Sequence, residues 1–167
     1  MKKILMVIAP ENFRDEELFH TKEEIEKAGH KITIVSTKKE ESTGMLGGKA
    51  IPEKTIDEIN ENDFKAVIFV GGSGASIYFD NNRALEIAKK FHEKNKVVAA
   101  ICIAPSILAN AGILKNKKAT CWESESENLN QKGAECTKSS VEIDGNIITA
   151  NGPKAAREFG KKIAEIV

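Results

Sequence analysis

Apolar residues in this chain come in short unbroken runs separated by amphipathic stretches. Lys3 to Ala9, Ile32 to Val35, Ala66 to Val70 and Val97 to Ile101 are too short for buried helices, so each reads as a strand, and the last two as strands buried on both faces. Between them, Arg14 to Ala28 has helical periodicity closed by Gly29. A second helix over about Asn82 to Glu93 places Leu85, Ala88 and Phe91 on one side, and Ile103 to Ala111 is helix-compatible and stopped by Gly112. Gly44 to Ile51, with Gly47-Gly48 inside it, predicts an irregular hairpin. A short strand is expected near Ala119-Thr120-Cys121, and Val141–Ile143 and Ile147–Ala150 flank the turn dipeptide Asp144-Gly145. The last helix carries Ala155, Ala156, Phe159, Ile163 and Ile166 on one stripe.

This alternation of strand and helix predicts an α/β fold. It implies a single domain over residues 1–167, with a mostly parallel central sheet and helices on both faces. In such sheets ligands bind beyond the carboxyl ends of the strands.

Charge and cysteine usage narrow the function. With 25 basic and 25 acidic residues the net charge is zero, whereas binding nucleic acid or an anionic membrane needs a basic excess, so neither partner is expected. The apolar run after Met1 is shorter than a signal core and leads into Pro10-Glu11-Asn12, which predicts a cytoplasmic protein. A Lys- and Glu-rich chain whose one Gln is Gln131 has a thermophile-like composition. The three cysteines, Cys102, Cys121 and Cys136, are an odd number without CxxC spacing. That pattern implies neither a disulfide framework nor a zinc site, and predicts that a reactive cysteine works alone.

Three segments should converge on the ligand edge: the turn after the first strand, the Gly71-Gly72 turn and the Cys102 turn. A cysteine where a strand passes into a helix stands above the sheet, near free N–H groups that favour a thiolate. Packing as a small hydrophobe is the alternative for Cys102. Gly71-Gly72-Ser73-Gly74 is followed by no Gly-Lys-Ser/Thr, and Ile77 stands where a dinucleotide fingerprint needs glycine, so it is no phosphate loop. Its backbone, with the Ile103 N–H, can instead form an oxyanion hole over Cys102, the alternative being a plain tight turn. The Glu17-x-x-His20 spacing occurs once, in an α/β chain, where a di-iron site would need two copies on a helical bundle, so no metal is expected. Trp122, beside Cys121, reads equally as a core aromatic or a pocket wall.

Ala99-Ala100-Ile101-Cys102-Ile103-Ala104-Pro105 resembles the nucleophile-elbow segment of the DJ-1/PfpI superfamily. Val70-Gly71-Gly72, Glu17, Asp144-Gly145-Asn146 and Asn151-Gly152-Pro153 follow the order of that family, and the resemblance spans essentially the whole chain. It implies a flavodoxin-like three-layer sandwich with a nucleophile elbow, assembly as a homodimer or higher oligomer, no cofactor, and Cys102 as the reactive residue. Glu17 matches the family's glutamate that hydrogen-bonds the cysteine. An ionised Glu17 would repel a thiolate, so only the protonated carboxyl can donate to it, and a raised Glu17 pKa paired with an acidic Cys102 is expected. Alternatives are an exposed first-turn Glu17, or Glu16 in its place.

The departures from the family bear on activity. Protease-like members have a histidine where this chain has Ile103, and a partner's glutamate near the position of Ser76. Others have a histidine where Trp122 falls and an arginine where Asn151 falls. The Cys-His-Glu triad is therefore incomplete, and His20, one turn from Glu17, is the available candidate base. The resemblance implies chemistry on small electrophiles or oxidants, including a glyoxalase or deglycase reaction on methylglyoxal-type adducts. A PfpI-type peptidase acting on peptides and a non-enzymatic redox sensor are the alternatives.

Overall fold

The computed structural model describes residues 1–167. The strands are β1 (Lys3–Val7), β2 (Glu11–Phe13), β3 (Lys31–Ser36), β4 (Ser42–Gly44), β5 (Lys49–Ala50), β6 (Lys54–Thr55), β7 (Ala66–Phe69), β8 (Val97–Ile101), β9 (Lys118–Ala119), β10 (Glu135–Cys136), β11 (Val141–Asp144) and β12 (Ile147–Ala150). The helices are α1 (Asp15–Lys27), α2 (Asn82–Glu93), α3 (Pro105–Asn110), α4 (Ser126–Gln131) and α5 (Ala156–Ile166). Seven strands form one sheet in the order β11-β12-β8-β7-β1-β3-β6. Only β11, paired with β12 across Asp144-Gly145, runs antiparallel. The inner order β3-β1-β7-β8-β12 is the flavodoxin-like arrangement, which has its topological switch beside β1.

Because side chains alternate across a strand, each β run feeds two cores. Leu5, Val7, Val67, Phe69, Val98 and Ala100 pack with Ile87 and Phe91 of α2 and Ile107 and Leu108 of α3. Ile4, Met6, Ile68, Ala99 and Ile101 face the other way, onto Leu18 and Ile25 of α1 and Phe159 and Ile163 of α5. This is the expected three-layer sandwich. Helices α1 and α5 approach closely at Gly160, where a Cβ would stand 2.8 Å from the Thr21 carbonyl oxygen. The Thr21 hydroxyl donates to the Ala156 carbonyl across the same contact.

Local expectations and observed elements agree for β7, β8, α2 and the β11–β12 hairpin. The 44–51 segment is a hairpin of β4 and β5, held to α1 because Asp15 accepts from the N–H groups of Leu46 (2.8 Å) and Gly48 (2.7 Å). Ile166 departs from the expected α5 stripe and is 40% exposed, in the final turn of the helix. The helix expected from Ile103 begins later, at Pro105, because Cys102 has a left-handed backbone that no α-helix accommodates. No helix is long and apolar enough to cross a membrane.

Candidate active site at the Cys102 elbow

Strand β8 ends at Ile101 and the chain turns sharply at Cys102, whose φ is +66°. A non-glycine residue in this region stores strain of about 1–3 kcal/mol and persists only where its surroundings impose it. Here the surroundings are backbone: the Cys102 N–H donates to the Ala150 carbonyl at the end of β12 (2.9 Å), and its carbonyl accepts from the Trp122 N–H (2.7 Å). The side chain is thereby pushed above the carboxyl end of the sheet, where it is 8% exposed.

Glu17 reaches the same point from α1. Its side chain is fully buried, and Oε1 accepts the Gly71 N–H at 2.9 Å. Gly71 packs against both groups, since a Cβ there would collide with Glu17 Oε1 and stand 2.6 Å from the Cys102 Cβ and 2.7 Å from the Ile101 carbonyl oxygen. Any side chain at Gly71 would separate Glu17 from Cys102. Gly72 has φ +94°, and a Cβ there would strike the Arg14 nitrogen and the Asn12 carbonyl. This turn after β7 therefore requires glycine at both positions.

Burial pushes Glu17 up to about 8, against hydrogen bonding from Cys102 and the Gly71 N–H that favours the charged form. The raised carboxyl agrees with expectation. The acidic thiol does not: burial first, and then the negative charge of Glu17, push Cys102 up to about 12. The Gly72 and Ile103 N–H groups favour the thiolate but do not prevail. Helix α3 adds little, because it has six residues and starts three positions beyond the sulfur. The Glu17 repulsion exists only while the carboxyl is ionised. With its proton in place Glu17 becomes a donor, and its Oε2 is buried without another hydrogen-bond partner.

The other expected site residues are unevenly placed. Trp122 and Asn151 line a cleft of about 680 Å³ with Arg14, Gly152, Lys138 and Lys154. The indole of Trp122 is 49% exposed and lies flush on Gly152, where a Cβ would be 3.0 Å from the ring. Trp122 is thus a pocket wall. Ser76, expected in the pocket, is exposed on a short 3-10 turn (Ser73–Tyr78), its hydroxyl turned back to the Ser73 carbonyl, and does not line the cleft. His20 is half-buried on α1 and does not line the cleft. Glu16 pairs with Arg14 at 2.7 Å and leaves the inner position to Glu17.

Sequence reasoning missed two features of the site. Arg14 precedes α1, donates its N–H to the Gly71 carbonyl (3.0 Å) and presents a cation to the cleft. Its place just before three first-turn acids was the available signal. Cys121 and Cys136 also line the cleft, both free, with sulfurs 3.7 Å apart.

Together the sheet order and the strained cysteine define a flavodoxin-like α/β protein with a nucleophile elbow. The chain belongs to the DJ-1/PfpI family, whose model matches residues 2–166. It is 48% identical to an uncharacterized protein of Methanocaldococcus jannaschii, over 99% of this chain and 82% of that protein. It is 34% identical to the deglycase PfpI of Pyrococcus furiosus, over 90% of each. The structure of a ThiJ/PfpI domain protein from Brachyspira murdochii superposes with a TM-score of 0.96 at 35% identity, covering 98% of this chain and 95% of that one.

Proposed function

We propose that this protein is a cysteine-dependent enzyme acting on small carbonyl electrophiles, with deglycase- or glyoxalase-type chemistry. The observation that carries this reading is the buried Glu17 carboxyl, raised to about 8, set against Cys102 beside Gly71. A similarity to the deglycase PfpI of Pyrococcus furiosus supports it.

In this reading the Cys102 thiol first gives its proton to solvent beside protonated Glu17, the sulfur then adds to the carbonyl carbon, and the C=O electron pair moves to oxygen. The growing oxyanion lies against the Gly72 and Ile103 N–H groups, which already face the sulfur. Glu17 donates its proton to the adduct. Having done so, the Glu17 carboxylate is the base beside the adduct, and no histidine is needed for the next proton transfer. Ile103 in place of the protease-like histidine leaves a peptidase without its usual base.

The proposal includes self-association. Phe19, Met45, Leu46 and Ile51 are exposed around the β4–β5 hairpin, Leu46 at 64% and Ile51 at 70%, and such a patch suits a second copy of the chain.

The test is turnover of methylglyoxal and of its hemithioacetal with N-acetylcysteine, read as loss of substrate and appearance of lactate. Wild type should turn over, and Cys102→Ser and Glu17→Gln should lose at least 100-fold (on the order of one general acid–base contribution). Inactive wild type, or an active Cys102→Ser, overturns the reading.

A further inference from the structure

Two of the three cysteines form a pair that the Cys102 chemistry leaves unused. Cys121 follows β9 and Cys136 ends β10, and these two-residue strands pair in parallel with Cys136 opposite Ala119. Since alternate residues share a face, Cys121 lies on the same side as Ala119, and the two sulfurs meet at 3.7 Å. The backbone fixes this approach: the Thr137 N–H donates to the Ala119 carbonyl (2.8 Å), and the Thr120 hydroxyl donates to the Ser139 carbonyl (2.6 Å). Both cysteines line the cleft beside the elbow, Cys121 buried and Cys136 half-buried, so small molecules entering the cleft reach them.

We infer that Cys121 and Cys136 form a redox-active dithiol in the cleft wall, which reduces hydroperoxides and closes to a reversible intrachain disulfide. Closure brings the sulfurs from 3.7 Å to about 2.05 Å. The strands that must shift lie in a separate two-stranded sheet, outside the seven-stranded one. Cys136, the more exposed sulfur, meets the hydroperoxide first. Its thiolate attacks the outer oxygen, the O–O bond breaks, and the alkoxide leaves as an alcohol after taking up a proton. The Cys121 sulfur then displaces the hydroxyl of the Cys136 sulfenic acid, which departs as water with the Cys121 proton. Two thiols are oxidised and one hydroperoxide is reduced by two electrons. Burial and the neighbouring Cys136 push the Cys121 thiol up, so it acts as the resolving partner rather than the first nucleophile.

This inference does not depend on Cys102, and trypsin separates the three sulfurs. Cleavage after lysine places Cys102 in Val97–Lys115, Cys121 in Ala119–Lys132 and Cys136 in Gly133–Lys138. The experiment treats reduced wild type and Cys102→Ser with a few equivalents of hydrogen peroxide, then blocks free thiols and maps peptides by mass. The expected result in both proteins is an Ala119–Lys132 to Gly133–Lys138 crosslink, 2 Da lighter than the summed thiol peptides (the loss of two hydrogens) and reversed by dithiothreitol. Cys136→Ser should show no crosslink. Peroxide consumption per protein should fall in the double variant Cys102→Ser/Cys136→Ser compared with Cys102→Ser. Separate over-oxidation of Cys121 and Cys136, a crosslink that includes Cys102, or unreacted thiols at both positions overturns the inference.

Discussion

The carboxyl of Glu17 and the thiol of Cys102 meet beside Gly71, with no room for even a methyl group at that glycine. One side is a carboxyl raised by burial to about 8, and the other is a thiol raised to about 12 in part by that carboxyl's charge. The charge of each group bears on the other, and a thiolate forms more readily beside a protonated Glu17.

This coupling predicts an unusual alkylation profile. In wild type, iodoacetamide labelling of Cys102 should rise with pH and then level off above about 8, where Glu17 ionises and repels the thiolate. Glu17→Gln removes the charge and keeps a donor, so its labelling should continue to rise through that range. Glu17→Leu removes both, so at any pH it should label more slowly than Glu17→Gln. Equal profiles in the three proteins, followed on the Cys102 peptide by mass spectrometry, would refute the protonated-donor account.

The same buried carboxyl makes stability depend on pH. Its folded value of about 8 lies above the ordinary 4.5, so its contribution is fully present below about 4.5 and is lost as pH rises through about 8. Between those limits the loss is on the order of 3–5 kcal/mol, taking about 1.4 kcal/mol per unit. Urea unfolding of wild type should track this decline, and Glu17→Gln should lack it, becoming the more stable protein near pH 9.

Gly71→Ala should separate the pair. Its methyl would meet Glu17 Oε1, the Cys102 Cβ and the Ile101 carbonyl oxygen, two of which belong to the reactive groups. A stability loss of about 1–3 kcal/mol is expected from overpacking. Activity on methylglyoxal should fall much further than folding does, as judged by kcat on protein shown to be folded by circular dichroism.

Leu46→Asp places a charge at the centre of the exposed hairpin patch. Sedimentation velocity should show wild type as a dimer or larger species and the variant shifted toward monomer. An unchanged sedimentation coefficient would place the interface elsewhere. The hairpin itself should survive, because Leu46 contributes its backbone N–H to Asp15 rather than its side chain.

Much of this architecture is local and therefore legible in the residues. Val97–Ile101 is apolar at every position because β8 is buried on both faces, and the chain order of such runs is enough to name a parallel α/β sheet. The strand-to-helix turn at Cys102 was likewise visible, as was the need for glycine at the end of β7. Elements of two or three residues, such as β2, β6 and β10, carry no periodicity to read. Helix α4 escaped for a related reason, since six mostly polar residues with one buried leucine show no apolar stripe.

By itself the sequence determined the longer strands of the sheet, the helices α1, α2 and α5 and which cysteine stands at an elbow, because hydrophobic period and turn chemistry reside in contiguous residues. Only the tertiary structure decided the chemistry of that cysteine. Burial depends on every element packed around a group, and burial raises both Glu17 and Cys102, where the sequence suggested an acidic thiol. The meeting of Cys121 with Cys136, the exclusion of Ser76 from the cleft and the inclusion of Arg14 are likewise consequences of how distant segments come together at one end of the sheet.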